Sequence, residues 1–299
     1  MIPLFDLHCD TLLSLYKGKY TLNSSPLHIS NKKVDVFSPY TQIMAIWSDC
    51  RLTSNEAYLQ YRKTVNYSKE ICISFAKDFT DIQNGGKILA IEDGRIVENH
   101  ISRLEEFKND GVKIITLSWS GINQICGSWD TDASLSEFGK DFVEKCFELS
   151  IIPDISHTSP EATKEVIALA KKHNKTIIAS HSNSYSVCKH KRNLRDNDFL
   201  AICELGGIVG ISLAPQHLDI DDNANIKTIL KHISHYLSLG GENTVCLGCD
   251  FDGVSSLPDG ISDISDLTKL YNVITTKFGN KIADKIFYEN AYNYFKYNF

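Results

Sequence analysis

Two stretches of the chain, Lys-Thr-Ile-Ile-Ala-Ser at residues 175–180 and Gly-Ile-Val-Gly-Ile-Ser-Leu at residues 207–213, decide the predicted fold. Both consist almost wholly of small and β-branched residues, without the alternation of a strand that has one face in water. This pattern is typical of parallel strands that helices cover on both faces. Residues 196–205, which lie between the two stretches, have helical spacing, so the whole segment predicts a βαβ unit.

The same alternation of short apolar runs and longer amphipathic segments extends over all 299 residues. It predicts eight strands, at residues 4–8, 42–47, 87–91, 113–117, 151–155, 176–180, 207–213 and 244–247. Helices are predicted at residues 55–79, 101–109, 137–149, 160–173, 196–205, 226–239, 264–278 and 282–295. Eight such units favour a closed α/β barrel, a (β/α)8 TIM barrel, over an open sheet, and the length suits one such barrel of about 250 residues. Because no linker or repeat interrupts the pattern, we expect a single domain over residues 1–299.

Charge and hydropathy exclude several classes of protein. The chain has 37 acidic and 31 basic residues, and the basic ones form no long run, so we expect no nucleic-acid partner. No apolar stretch approaches the roughly 18 residues that span a bilayer, so we expect no membrane association. The first ten residues lack the basic and apolar regions of a secretory signal. We therefore expect a cytoplasmic protein.

Side chains that can bind metals or carry protons follow five of the predicted strands. They are His8 and Asp10 at the end of the first strand, Glu92 after the third, His157 after the fifth, His181 after the sixth and Asp250 after the eighth. The carboxyl ends of the strands form the active-site face of such a barrel. No equivalent cluster precedes the strands. The joint placement of these residues therefore predicts a metal site, although each of them alone would be an ordinary turn or loop residue.

The residue types indicate which metal would bind. His8 and Asp10 are two positions apart and point to the same side of a strand, as two ligands of one cation would. The imidazoles of His157 and His181 suit zinc better than magnesium or calcium. Glu92 offers two oxygens, which can bridge a pair of metals.

Five motifs carry a resemblance to a known family. They are Phe-Asp-Leu-His-Cys-Asp-Thr (5–11), Ile-Glu-Asp-Gly (91–94), Asp-Ile-Ser-His-Thr (154–158), Ser-His-Ser-Asn-Ser-Tyr-Ser-Val-Cys-Lys-His-Lys-Arg-Asn (180–193) and Leu-Gly-Cys-Asp-Phe-Asp-Gly-Val (247–254). In this order they resemble the membrane (renal) dipeptidases, peptidase family M19. The resemblance runs from Asp6 to about Gly253, which is most of the chain.

The resemblance implies a metallo-dipeptidase with two zinc ions that Glu92 and a hydroxide bridge. His8, Asp10 and Glu92 would bind one ion, and Glu92, His157 and His181 the other. Two further residues match family positions with other roles: Asp250 would be the acid that shuttles protons, and Arg192 would receive the terminal carboxylate of a dipeptide. The second acid of the last motif, Asp252, would fix its loop.

One departure concerns the segment after the fourth strand, where the family often has a histidine and this chain has Trp119. An indole is a hydrogen-bond donor only, so Trp119 can contact a developing oxyanion but cannot carry a proton. We therefore include Trp119 as a candidate substrate contact and keep a lactone, a cyclic amide or a modified amino acid as alternative substrates.

The sequence leaves several properties of the protein open. Arg192 lies in a basic run with Lys189, Lys191 and Arg195, which is also typical of a solvated loop. Two alternatives to a dipeptidase stay open: a barrel that binds metals without catalytic activity, and a deaminase with one zinc ion. Iron, cobalt or manganese can use the same ligands as zinc. Acceptance of a D-residue at the C-terminal position and assembly as a homodimer are further expectations that the sequence does not decide.

Overall fold

Eight parallel strands close into a barrel in which each strand pairs with the next in sequence and the last pairs with the first. The computed structural model describes residues 1–221 and 223–299. The strands are β1 (Ile2–Cys9), β2 (Phe37–Trp47), β3 (Lys87–Glu92), β4 (Val112–Thr116), β5 (Ile152–Asp154), β6 (Ile178–Ala179), β7 (Ile208–Ile211) and β8 (Val245–Leu247). Each predicted strand overlaps one of these, so the (β/α)8 barrel is confirmed.

Helices follow or connect the strands. They are α1 (Thr11–Gly18), α2 (Asn31–Val34), α3 (Ser54–Glu70), α4 (Phe79–Gln83), α5 (Arg103–Asp110), α6 (Glu137–Leu149), α7 (Pro160–His173), α8 (Asp196–Glu204), α9 (Pro215–Leu218), α10 (Ile226–Ser238), α11 (Leu267–Phe278), α12 (Asn280–Asp284) and α13 (Asn290–Asn298). A π-helical turn, Lys285–Glu289, joins the last two. In the described part of the chain, none of these helices combines the length and the apolar character needed to cross a bilayer.

The prediction of one continuous helix over residues 55–79 is wrong. Helix α3 ends at Glu70, and Cys72 adopts a left-handed backbone with φ of 57°. The chain then runs beside the start of β3, where the amide of Ala76 donates a hydrogen bond of 2.7 Å to the carbonyl of Lys87. Because this pairing fixes an extended backbone, a separate helix, α4, begins only at Phe79.

The strands divide their apolar side chains between two cores. Ile88 and Ala90 of β3 belong to the cluster inside the barrel, whereas Leu89 and Ile91 belong to the cluster that faces the helices. Glu92 continues the inward-facing series of β3 with period two. The same alternation that buries the strands therefore directs this carboxylate into the mouth of the barrel.

Candidate metal centre and active site

The structure brings all five predicted metal ligands together at the carboxyl ends of the strands. Four elements contribute them: β1 and the turn after it, the last residue of β3, and the loops after β5 and β6. All five residues are buried: His8, Asp10, Glu92, His157 and His181. Residues far apart in the sequence therefore form one compact polar site, since the carboxyl ends of parallel strands meet there.

The ligand atoms fall into two groups around one carboxylate. Oε2 of Glu92 lies 3.5 Å from Nε2 of His8, which in turn lies 3.5 Å from Oδ2 of Asp10. Oε1 of Glu92 lies 3.1 Å from Nε2 of His157 and 3.4 Å from Nε2 of His181. Each group of three has ligand atoms close enough to surround one ion. The two oxygens of Glu92 thus face two different sets of donors.

The hydrogen-bonding of these atoms fits a bound cation. Nε2 of His8 and Oδ1 of Asp10 are buried and have no hydrogen-bond partner among the described residues. Nε2 of His157 and Nε2 of His181 lie only 2.9 Å apart. A buried polar atom without a partner costs roughly 1–3 kcal/mol. A divalent metal ion would accept the lone pairs of these oxygen and nitrogen atoms, so the residues present fit the metals that the sequence predicts.

Burial controls the charges in the site. It lowers the pKa of His157 and of His181 well below the usual value, so both imidazoles are neutral at pH 7, the form that binds metals. It also raises the pKa of Glu92 to about 7, with the nearby charge of Asp10 adding to the effect. The pKa of Asp250 is raised by burial and by the charges of Asp10 and Glu92. Cations would offset this mutual repulsion of carboxylates.

The loop after β8 places Asp250 beside the ligands. The amide of Asp250 donates to the carbonyl of His8 at 3.0 Å, and the amide of Asp10 donates to the carbonyl of Phe251 at 2.9 Å. Oδ1 of Asp250 lies 3.8 Å from Nε2 of His8. Asp250 has a left-handed φ of 63°, a conformation that is costly outside glycine and often found at functional sites. The acid is therefore held beside the ligands of both groups, and its carboxylate also lies close enough to His8 and His181 to form a third candidate group with them.

Asp252 holds the same loop in place. Its Oδ2 accepts a hydrogen bond of 2.5 Å from the hydroxyl of Thr11, and its Oδ1 accepts one of 2.7 Å from the amide of His28. These bonds connect the loop to the residues that follow β1. The arrangement matches the structural role expected from the resemblance.

Arg192 differs from the rest of the basic run. Its side chain is buried, and its two terminal nitrogens donate to the hydroxyl of Ser182 at 2.9 Å and to the carbonyl of His181 at 2.7 Å. Its Nε has no hydrogen-bond partner in the described residues. Lys189 and Arg195 are exposed and instead lie over the ring of Tyr185. Lys189 and Arg195 thus behave as residues of a solvated loop, and Arg192 does not.

A cavity of about 220 Å³ opens above the ligands. Its lining includes Glu92, His157, Asp250 and Trp119. The ring of Trp119 packs edge-on against that of Trp47 at 4.9 Å. Trp47 was not among the residues expected at the site, although it is the last residue of a predicted strand and that position was the available signal. Arg192 lies outside the lining of this cavity, buried against the loop that follows β6.

Comparison with known proteins identifies the family. The model of the membrane dipeptidases, peptidase family M19, matches residues 1–296. An uncharacterised protein from the pqqA 5′ region of Klebsiella pneumoniae is 31% identical over an alignment of 200 residues, and the match covers 62% of this chain and 72% of that protein.

Two solved structures show the same fold. A metallopeptidase from Rhodobacter sphaeroides, bound to a phosphinate mimic of the dipeptide L-Ala-D-Ala, is 21% identical with a TM-score of 0.92, over 100% of this chain and 99% of that one. The probable dipeptidase PvdM from Pseudomonas aeruginosa is 18% identical with a TM-score of 0.87, over 98% of this chain and 94% of that one. Since the family model spans nearly the whole sequence, this protein belongs to peptidase family M19, the membrane dipeptidases, and is a hydrolase that acts on dipeptides.

Proposed function

We propose that this dipeptidase works with two zinc ions that share Glu92 as a ligand. His8 and Asp10 would complete the first set of ligands, and His157 and His181 the second. The observation that supports this proposal is the position of Glu92, whose Oε2 faces His8 while its Oε1 faces the other two histidines. When bound, the two ions supply an activated water, the hydroxide nucleophile, and a Lewis acid for the scissile carbonyl.

The imidazole ligands support zinc as the native metal. Each of the two sets contains at least one histidine, and imidazole binds zinc, iron and copper better than it binds magnesium or calcium. Manganese, cobalt and iron can use the same ligands, so the choice among them depends on availability in the cell as well as on affinity.

Asp250 would move the proton during hydrolysis. Its carboxylate lines the cavity next to Glu92 and lies 3.8 Å from Nε2 of His8, and each of the two proposed sets has three ligands without it. An acid in this position can take the proton of the attacking water and return it to the amine that leaves. General acid–base catalysis of this kind contributes about 10²-fold to 10⁴-fold in rate.

Arg192 would bind the terminal carboxylate of the dipeptide, a contact that requires its buried Nε, outside the cavity lining in this structure, to become accessible when substrate binds. It keeps an unpartnered Nε–H, and a guanidinium has five N–H donors, of which the contacts to His181 and Ser182 use two. A planar guanidinium pairs well with a carboxylate. Because the Rhodobacter protein of the same fold binds a mimic of L-Ala-D-Ala, we extend the proposal to dipeptides with a D-residue at the C-terminal position. Trp119, in the cavity wall, would contact the substrate.

The test combines metal content with hydrolysis of a panel of L,L and L,D dipeptides. We expect two metals per chain and cleavage in the wild type, and an unchanged metal content with a rate lower by about 10²-fold to 10⁴-fold in Asp250→Asn. Asp141→Asn, an exposed acid on α6, is the matched control and should retain full activity. One metal or none in the wild type would refute the binuclear site. Two metals without cleavage of any dipeptide would point to another small amide or a lactone.

A further inference from the structure

The ring of His181 is connected to a buried carboxylate through one serine. Oγ of Ser180 lies 2.7 Å from Nδ1 of His181 and 2.6 Å from Oδ2 of Asp154. Asp154 is fully buried, and the other two residues are 1% exposed. Solvent therefore does not compete for these hydrogen bonds.

The hydrogen-bond donors around Asp154 determine the direction of the two hydrogen bonds that Ser180 makes. Its Oδ1 accepts the amides of Ser156 and Ser180, both at 2.9 Å. Its Oδ2 accepts the hydroxyl of Thr116 at 2.6 Å as well as that of Ser180. A carboxylate is an acceptor only, so the single hydroxyl hydrogen of Ser180 is committed to Asp154. The oxygen of Ser180 must then accept a hydrogen from Nδ1 of His181.

We propose that Asp154 and Ser180 are positioning residues that hold His181 in its Nδ1–H tautomer, with the lone pair of Nε2 directed toward the metal. The effect on metal binding rests on the proposed function. The Nδ1–H tautomer of His181 depends only on the hydrogen bonds of the protein and holds without a metal. Metal-binding histidines commonly donate their second N–H to such a partner, and loss of the partner typically lowers metal affinity by 10-fold to 100-fold.

His157 shows the contrast within the same pair of ligands. Its Nδ1 is buried and has no hydrogen-bond partner among the described residues. The chain of bonds from Asp154 therefore orients one imidazole of the pair and not the other. Changes at Asp154 or Ser180 should act on His181 specifically.

Asp154→Asn should reverse the direction of the hydrogen bonds that connect residue 154 to His181 through Ser180. The amides of Ser156 and Ser180 still require an acceptor, so the new side chain would keep its oxygen toward them. Its NH₂ group would then donate to the hydroxyls of Thr116 and Ser180. The hydroxyl hydrogen of Ser180 would turn to Nδ1 of His181 and favour the Nε2–H tautomer, which cannot bind a metal through Nε2.

The experiment measures the tautomer and the metal affinity separately. Histidine labelled with ¹⁵N, in metal-free protein, reports which ring nitrogen of His181 carries the hydrogen, with the signal assigned from a His181→Gln sample. Zinc titration against a chromophoric chelator then gives the affinity. We expect Nδ1–H in the wild type, Nε2–H in Asp154→Asn, and a 10-fold to 100-fold lower affinity for one of two zinc ions in Asp154→Asn and in Ser180→Ala.

Ser184→Ala is the matched control, because it removes a buried serine hydroxyl that has no hydrogen-bond partner in the described residues. It should leave tautomer and affinity unchanged. An Nε2–H tautomer in the wild type, or wild-type affinity in both Asp154→Asn and Ser180→Ala, would overturn the inference. If Asp154→Asn does not fold, the zinc affinities of Ser180→Ala and Ser184→Ala are compared instead. Equal affinities in these two variants would then overturn the inference. A wild type that has the Nδ1–H tautomer but binds no zinc would refute the proposed function and leave the tautomer assignment standing.

Discussion

Gly253 lies so close to Asp250 that a Cβ at residue 253 would overlap Oδ1 of the Asp250 carboxylate. The same Cβ would overlap Oδ2 of Asp10. The backbone at Gly253 thus occupies the space beside two acids of the active site. A glycine is required there because of this close approach and not because of an unusual backbone angle.

Gly253→Ala should therefore impair catalysis more than folding. The methyl group would displace the carboxylates of Asp10 and Asp250, and a displacement of about 1 Å in an active site can cost about 10²-fold in rate. kcat/KM for a dipeptide and the thermal unfolding midpoint test this prediction together. Gly111→Ala, at a glycine with open space around its Cβ position, serves as a folding control, and its left-handed φ of 93° should lower stability but not the activity of the folded protein. Full activity in Gly253→Ala would contradict this prediction.

Glu92→Gln should reduce the metal content from two ions to one or fewer. The amide keeps one oxygen, so it can serve only one of the two sets of donors that Glu92 faces, and it removes a negative charge between them. Metal analysis after dialysis against a weak chelator measures the change. Glu148→Gln, which replaces an exposed acid of α6, should bind metal as the wild type does. Retention of two tightly bound ions in Glu92→Gln would show that Glu92 does not bridge.

Arg192→Ala should weaken substrate binding. Loss of hydrogen bonds to a charged group costs about 1.5–3 kcal/mol, which corresponds to roughly 10-fold to 100-fold in KM. The effect should be large for dipeptides and small for substrates amidated at the C-terminus. Metal content must be measured in parallel, because Arg192 also donates to the carbonyl of His181. Lys191→Ala is the control, since Lys191 is exposed in the same loop. An equal loss for both kinds of substrate would indicate a structural role only.

The stability of the fold should depend on pH through His232. Burial lowers its pKa to about 4, and its Nδ1 accepts a hydrogen bond of 3.0 Å from the amide of Ser184. In the unfolded chain the pKa of histidine is about 6.5, so the unfolded state binds more protons between pH 6.5 and 4. Neutral His232 therefore makes its full contribution to the free energy of unfolding above pH 6.5. This contribution, on the order of 3 kcal/mol, is lost as the pH falls toward 4.

Urea unfolding of the wild type and of His232→Asn at several pH values isolates this effect, because the titration of other groups cancels in the difference. The free-energy gap between the two proteins should shrink as the pH falls from 6.5 to 4. If the difference in free energy of unfolding between the two proteins stays constant from pH 6.5 to 4, His232 is not the group responsible for the pH dependence.

The sequence by itself determined the barrel and the residues that gather at its mouth. Runs such as residues 207–213 are apolar on both faces, which is typical of parallel strands that helices cover. Once eight strands are parallel, residues such as Glu92 and His181 must share one face, because they follow strands whose carboxyl ends meet there. Their convergence needed no knowledge of side-chain contacts, while their roles as ligands stay predictions for the metal analysis to test.

Only the tertiary structure decided what surrounds those residues. It buried Arg192 while leaving Lys189 exposed, placed Trp47 against Trp119, and left no room for a Cβ between Gly253 and Asp10. It also connected Asp154 to His181 through Ser180. Periodicity specifies which face a residue occupies, but the pairing of two side chains from different strands depends on register, loop path and packing. Those features arise from contacts between distant parts of the chain, and local sequence patterns do not encode them.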